Sequence, residues 1–152
     1  MRVPIYQIDA FSSQPFKGNP AAVCPLKEWL PDEVMQSIAM ENNLSETAFF
    51  IKNEDQYDIR WFAPKIEIDL AGHPTLATAH VIFNEMNHQG DSITFNSKIG
   101  DTLDITRNKD IISMNFPSRP PKKIYKKELI EEAIGVEVEE FYENRDGLAV
   151  VA

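Results

Sequence analysis

The segment Thr75 to Phe83 (Thr-Leu-Ala-Thr-Ala-His-Val-Ile-Phe) constrains the fold of this chain more than any other. It carries no formal charge when its histidine is neutral, and it is apolar or small nearly all the way round. A helix of that kind has no face to offer to water, so the rest of the fold must enclose it. Pro74 suits the first helical position, where its ring presets φ and its missing N–H has no intrahelical partner. Gly72-His73 then forms the entry turn.

The flanking pattern supplies the enclosure. Val3 to Phe11 is rich in β-formers, Gly18-Asn19-Pro20 is strong turn chemistry, and Ala21 to Pro25 follows as a second strand. Pro31 with Asp32 and Glu33 predicts a helix start, Val34, Met35, Ile38 and Ala39 give that helix its apolar face, and Asn42-Asn43 end it. Strands are expected over Thr47 to Lys52 and Tyr57 to Phe62, joined by Asn53-Glu54-Asp55. Three more, Ser92 to Asn96, Thr102 to Thr106 and Ile111 to Phe116, have the spacing of an antiparallel meander. The expected class is α+β, with a strongly curved, mostly antiparallel, barrel-like sheet wrapped around a central helix. Pro117, Pro120 and Pro121 interrupt the pattern. Beyond them a helix from about Lys126 to Ile134 and a strand-like run from Gly147 to Ala152 read as the start of a second domain that stops early.

Charge and composition narrow the partners. The chain has 152 residues, 43% of them hydrophobic, enough for one ordinary core. Its formal charge of −9, with 15 dispersed Lys and Arg residues, argues against a phosphate backbone as partner. The basic stretch Arg119 to Lys127 is proline-rich and reads as a solvated connector. No window reaches the length of apolar sequence that a bilayer span requires, and no signal-peptide core is evident, so the expectation is a cytoplasmic protein without membrane contact. Cys24 is the only cysteine and reads as an inert buried thiol. His73, His80 and His88 are not spaced as a metal set, and no metal site is expected.

Two short runs place titratable chemistry beside tight turns. In Asn43-Leu44-Ser45-Glu46-Thr47-Ala48-Phe49, Glu46 lies between a helix end and a strand, with its carboxyl among apolar neighbours, a placement suited to a general acid or base. In Ala71-Gly72-His73-Pro74-Thr75, a helix start offers free N–H groups and positive potential, which favour an anionic ligand group. Plainer roles stay open for both: a helix-terminal carboxylate accepting a nearby N–H, and a helix capped by His73 with help from Thr75.

Taken in order, Gly18-Asn19-Pro20-Ala21-Ala22-Val23, the Asn43 to Phe49 run and Asp69-Leu70-Ala71-Gly72-His73-Pro74-Thr75-Leu76-Ala77-Thr78-Ala79 form a recognisable set, extended by Trp61-Phe62-Ala63-Pro64 and Glu67-Ile68-Asp69. A chain with this set resembles the PhzF family of phenazine biosynthesis-like isomerases, over essentially its whole length and most strongly before residue 80. The resemblance implies a diaminopimelate epimerase-like fold of two similar domains, with residues 1–118 as the N-terminal domain and 119–152 as a linker and truncated start of the second. It implies that Glu46 is the acid/base moving a proton between carbons of a small cyclic carboxylate. His73 would be its catalytic neighbour, and Ser45, Gly72, Pro74 and Thr75 the substrate-binding positions. No cofactor is implied. Epimerase relatives carry a cysteine where this chain has Ala71, and Cys24 lies in another motif, so a two-thiol mechanism is disfavoured. Family members are considerably longer, and their second domain adds an aspartate and backbone contacts to the same cleft.

Three readings follow: an isomerase or its N-terminal half, a non-catalytic domain that binds small anions, and a fragment that forms a homodimer through surface a second domain would cover.

Overall fold

In the computed structural model, the uncharged segment after Gly72 is a helix buried on nearly every side. The structure describes residues 2–125, 127–145 and 147–151. Its elements are β1 (Tyr6–Ala10), β2 (Asn19–Leu26), α1 (Asp32–Asn42), β3 (Glu46–Asn53), β4 (Gln56–Phe62), β5 (Glu67–Ile68), α2 (Gly72–His80) prolonged by one π-helical turn (Val81–Glu85), β6 (Ser92–Ser97), β7 (Thr102–Asn108), β8 (Ile111–Asn115), β9 (Lys122–Ile124), α3 (Lys127–Ile134), β10 (Glu140–Asn144) and β11 (Gly147–Val151). They form two units, Met1–Phe116 and Pro117–Ala152.

In the first unit one sheet runs in the order β1-β2-β3-β4-β6-β7-β8, with β5 also paired to β4. Most neighbours are antiparallel. The exceptions, β2 with β3 and β4 with β6, are parallel and therefore need crossovers. Helix α1 lies in the first crossover and α2 in the second. Helix α2 packs against β1, β2, β3 and β8. Since β1 and β8 are the two outer strands of the sheet, the sheet must curl round the helix for both to reach it. The core inside the curl is built from Val23, Ala48, Phe50, Ile59, Trp61, Phe95, Leu103 and Ile105 against Ala77, Ala79, Val81 and Ile82. A second cluster, Cys24, Met35, Ala39, Phe49 and Phe62, lies beneath α1 on the other face. Strands covered on both faces read as continuous apolar runs, which is why Thr47-Ala48-Phe49-Phe50 is buried without alternation.

Three local expectations are corrected. Helix α2 begins at Gly72 with Ala71 as its N-cap, so Pro74 is its third residue rather than its first. Proline is tolerated there because the first turn's N–H groups lack intrahelical acceptors in any case. Neither His73 nor Thr75 caps the helix: there is no side-chain cap, and the Thr75 hydroxyl donates instead to the Ala71 carbonyl at 2.6 Å. The stretch read as a solvated connector contains β9, which pairs antiparallel with β10. There the Lys123 ammonium meets the Glu140 carboxylate at 2.6 Å across the strands, while Lys122 and Lys123 stay exposed, so the stretch is solvated as expected but is a strand rather than a plain connector. The π turn also departs from regular helix, with the Met86 N–H bonded to the Val81 carbonyl at 3.0 Å.

The second unit has a three-stranded sheet in the order β11-β10-β9. Val138 and Phe141 are buried, and the Val138 N–H donates to Glu131 Oε1 at 2.7 Å. The helix start expected at Lys126 and the strand end expected at Ala152 lie outside the described residues.

Candidate active site

The chain is brought to Glu46 by a sharp helix exit. Asn43 adopts the left-handed conformation (φ 51°) that reverses the chain after α1, and its N–H bonds the Ala39 carbonyl at 3.1 Å. Asparagine tolerates this region better than most side chains. The side chain of Asn42 donates to the Thr47 hydroxyl at 3.1 Å across the turn, pinning the two ends of the loop that presents Ser45 and Glu46. Glu46 opens β3 beside Ala21 of the parallel strand β2. Because Ala21 faces the α2 side of the sheet, so does Glu46.

The first turn of α2 arrives at the same place. His73 Nε2 stands 3.2 Å from Glu46 Oε2 and 3.2 Å from the Ser45 hydroxyl. Ser45 in turn donates to Asn19 Oδ1 at 3.5 Å. With the Ser45 proton committed to Asn19, its lone pair is free to accept from a His73 Nε2–H, giving a relay from His73 through Ser45 to Asn19. The carboxylate and imidazole lie at ion-pair distance, but their angles do not make a hydrogen bond. Glu46 Oε2 is therefore buried without a hydrogen-bond partner among the described residues. The His73 side chain is 10% exposed and that of Glu46 20%, whereas Ser45, Asn19 and Gly72 are exposed around them. A Cβ placed on Gly72 would meet nothing within 4 Å, so the space before the helix start is open.

The structure thus brings Ser45, Glu46, Gly72 and His73 together. Pro74 and Thr75 share the turn, but their side chains are buried and Thr75 is spent on Ala71, which leaves only the backbone there for a ligand. Asn19 went unassigned in the sequence because Gly18-Asn19-Pro20 reads as turn chemistry. The signal for more was Gly18, where a Cβ would fall 2.4 Å from the Ala10 carbonyl oxygen, so β2 is held tightly against β1 just before Asn19.

An ion-pair cluster lies along the strands that lead here. Arg60, on β4, gives Nε and Nη2 to the two oxygens of Glu67 at 2.7 and 2.8 Å, and Nη1 to Asp32 at 2.9 Å. Lys98 adds a 2.7 Å bond to Glu67. The Arg60 hydrogen bond holds the carboxyls of Glu67 and Asp32 below their ordinary values and raises the guanidinium. The clamp ties β5, which runs directly into the helix start, to β4 and to α1. Clefts of about 290 and 310 Å³ flank Arg60 and Lys98, and neither contains Glu46 or His73. Among the described residues no group of three or more His, Cys, Asp and Glu side chains is arranged to hold a metal ion, and no helix is long and apolar enough to cross a membrane.

A curled sheet around a buried helix, with a carboxylate and an imidazole meeting at that helix's start, defines an α+β protein of the diaminopimelate epimerase-like fold. The chain belongs to the PhzC-PhzF family of phenazine biosynthesis-like proteins, whose model matches residues 8–145. It is 44% identical over 151 residues to an uncharacterized isomerase of Pseudomonas aeruginosa, a match covering 99% of this chain and 58% of that protein. It is similar to the crystal structure of a PhzF-family phenazine biosynthesis protein from Enterococcus faecalis, with 46% identity and a TM-score of 0.85 over 99% of this chain and 57% of the other. A predicted epimerase of Pseudomonas aeruginosa, 22% identical with a TM-score of 0.60 over 79% of this chain and 46% of the other, shares the fold alone. The chain therefore spans little more than half the length of the relatives it matches.

Proposed function

We propose that this chain carries the acid/base wall of an isomerase that shifts a proton between carbons of a small carboxylate-bearing metabolite. The observation that supports it most is the approach of His73 Nε2 to Glu46 Oε2 at 3.2 Å, with that oxygen buried and making no hydrogen bond among the described residues, beside a helix start that is open at Gly72. A carboxylate so held can take a proton from one carbon and return it to another on the same face. The shift changes no oxidation state, so an electron carrier has no part in it. His73, at ion-pair distance from Glu46, helps position the carboxylate or relay its proton, and Ser45 holds the imidazole. The first-turn N–H groups of Gly72 and His73 suit the substrate's anionic group. The isomerase names of the relatives agree with this reading.

The test is deuterium exchange. Incubated in D₂O with a panel of small unsaturated ring carboxylates, the wild type is expected to wash deuterium into a carbon position of at least one of them, followed by NMR. Glu46→Gln is expected to slow that wash-in by about 10²–10⁴-fold while keeping the wild-type melting temperature. Exchange at an undiminished rate in the variant would remove Glu46 from the role. Saturable binding with no exchange in wild type would favour a domain that binds small anions without turning them over.

A further inference from the structure

Besides Glu46 Oε2, one other buried side-chain atom lacks a hydrogen-bond partner among the described residues: the indole nitrogen of Trp61. An indole N–H is a donor only, and leaving it unpaired in the interior is costly, so it calls for an acceptor that the protein itself does not provide. Trp61 is 1% exposed and belongs to the same core cluster as Ala21 and Ala48, on the α2 side of the sheet. The β3–β4 register pairs Ala48 with Trp61 and Thr47 with Phe62. Carried one residue further, it sets Glu46 opposite Ala63, on the same face as Trp61 and one diagonal step away. Diagonal neighbours of this kind are about 7–8 Å apart, the span of a small ring carboxylate. A carboxylate oxygen and an indole N–H, each without a hydrogen bond among the described residues, therefore share one face and one end of the sheet.

We propose that Trp61 Nε1–H is a substrate-binding donor of this site, directed at a substrate oxygen on which negative charge develops during proton transfer. The inference rests on the isomerase reading above and extends it. When the Glu46 carboxylate takes a proton from carbon, the electron pair of the broken C–H bond delocalises into the conjugated carboxylate of the substrate. The indole N–H hydrogen-bonds that oxygen and keeps its own proton. Glu46 then returns the proton to a second carbon, and no electrons are gained or lost. A fixed donor in a dry setting stabilises such charge without having to reorganise.

The chain holds two tryptophans, Trp29 and Trp61, so an ¹H–¹⁵N spectrum has two indole signals, which Trp61→Phe assigns. Benzoate and cyclohex-1-ene carboxylate, titrated into the ¹⁵N-labelled chain, are expected to move the Trp61 indole signal and the Gly72 and His73 amides along one saturable curve. The Trp29 indole should stay in place. Trp61→Phe is expected to weaken the midpoint read from those amides about tenfold. Movement of the amides with a stationary Trp61 indole overturns this proposal and leaves the isomerase reading standing. So does an indole in persistent contact with a buried water both before and after saturation. If neither the amides nor the indole respond, the isomerase reading fails and this proposal with it.

Discussion

Gly18 shows how one missing methyl group governs a site it does not touch. A Cβ there would lie 2.4 Å from the Ala10 carbonyl oxygen and 2.9 Å from Asp9, both parts of the neighbouring strand rather than yielding side-chain tips. Gly18→Ala must therefore push β1 away from β2 at the point where Asn19 enters the sheet opposite Ala10. The expected cost is about 1–3 kcal/mol of stability, measured by urea unfolding. The same variant is expected to shift the Ser45 amide signal in NMR, because Asn19 holds the Ser45 hydroxyl. A variant as stable as wild type would mean that the loop yields and that Gly18 does not fix Asn19.

Among the elements, β5 is the weakest in itself and the most consequential. Its two residues leave no periodicity in a sequence, so Glu67-Ile68 was legible only as part of a motif. Its backbone pairs with β4, and the Arg60 clamp adds side-chain ties whose members Asp32, Glu67 and Lys98 come from three separate places along the chain and cannot be paired by inspection of the sequence. The central helix, the β6–β8 meander and the Ser45–Glu46 turn were legible because each depends on local chemistry: absence of charge, alternation, and a helix end running into a strand. Asn19 and Trp61 were not, since their meaning lies in which strands become neighbours. The clamp has a pH signature. The Glu67 carboxyl is held below its ordinary value of 4.5, chiefly by the Arg60 hydrogen bond, so above 4.5 the folded state gains stability from it. That gain is lost as pH falls through 4.5 toward the folded-state value, because the unfolded chain binds the proton first. Glu67→Gln is expected to lose about 1 kcal/mol at pH 7 and to narrow its deficit to wild type by pH 3, read from urea midpoints.

At the scale of the molecule, Cys24 serves as an internal reporter. Its thiol is fully buried beneath α1, and burial pushes its pKa up to about 12, so the reactive thiolate is scarce while the fold is closed. Labelling by a disulfide reagent at pH 8 is expected to follow the opening of the first unit, rising in parallel with unfolding in urea. Rapid labelling of the native protein would show that α1 opens on its own. The parallel pairing of β4 with β6, which sets Tyr57 beside Phe95, also bears on how the chain assembles. Helix α2 lies between those two strands in the chain, yet its shelter includes β8, which is made last in the first unit. A growing polypeptide emerging from the ribosome can therefore lay this uncharged helix on β1, β2 and β3, but the side that β8 covers stays exposed until β8 is made. Closing the core waits on contacts distant in sequence, which slows folding and lengthens the interval in which that helix can stick to others of its kind.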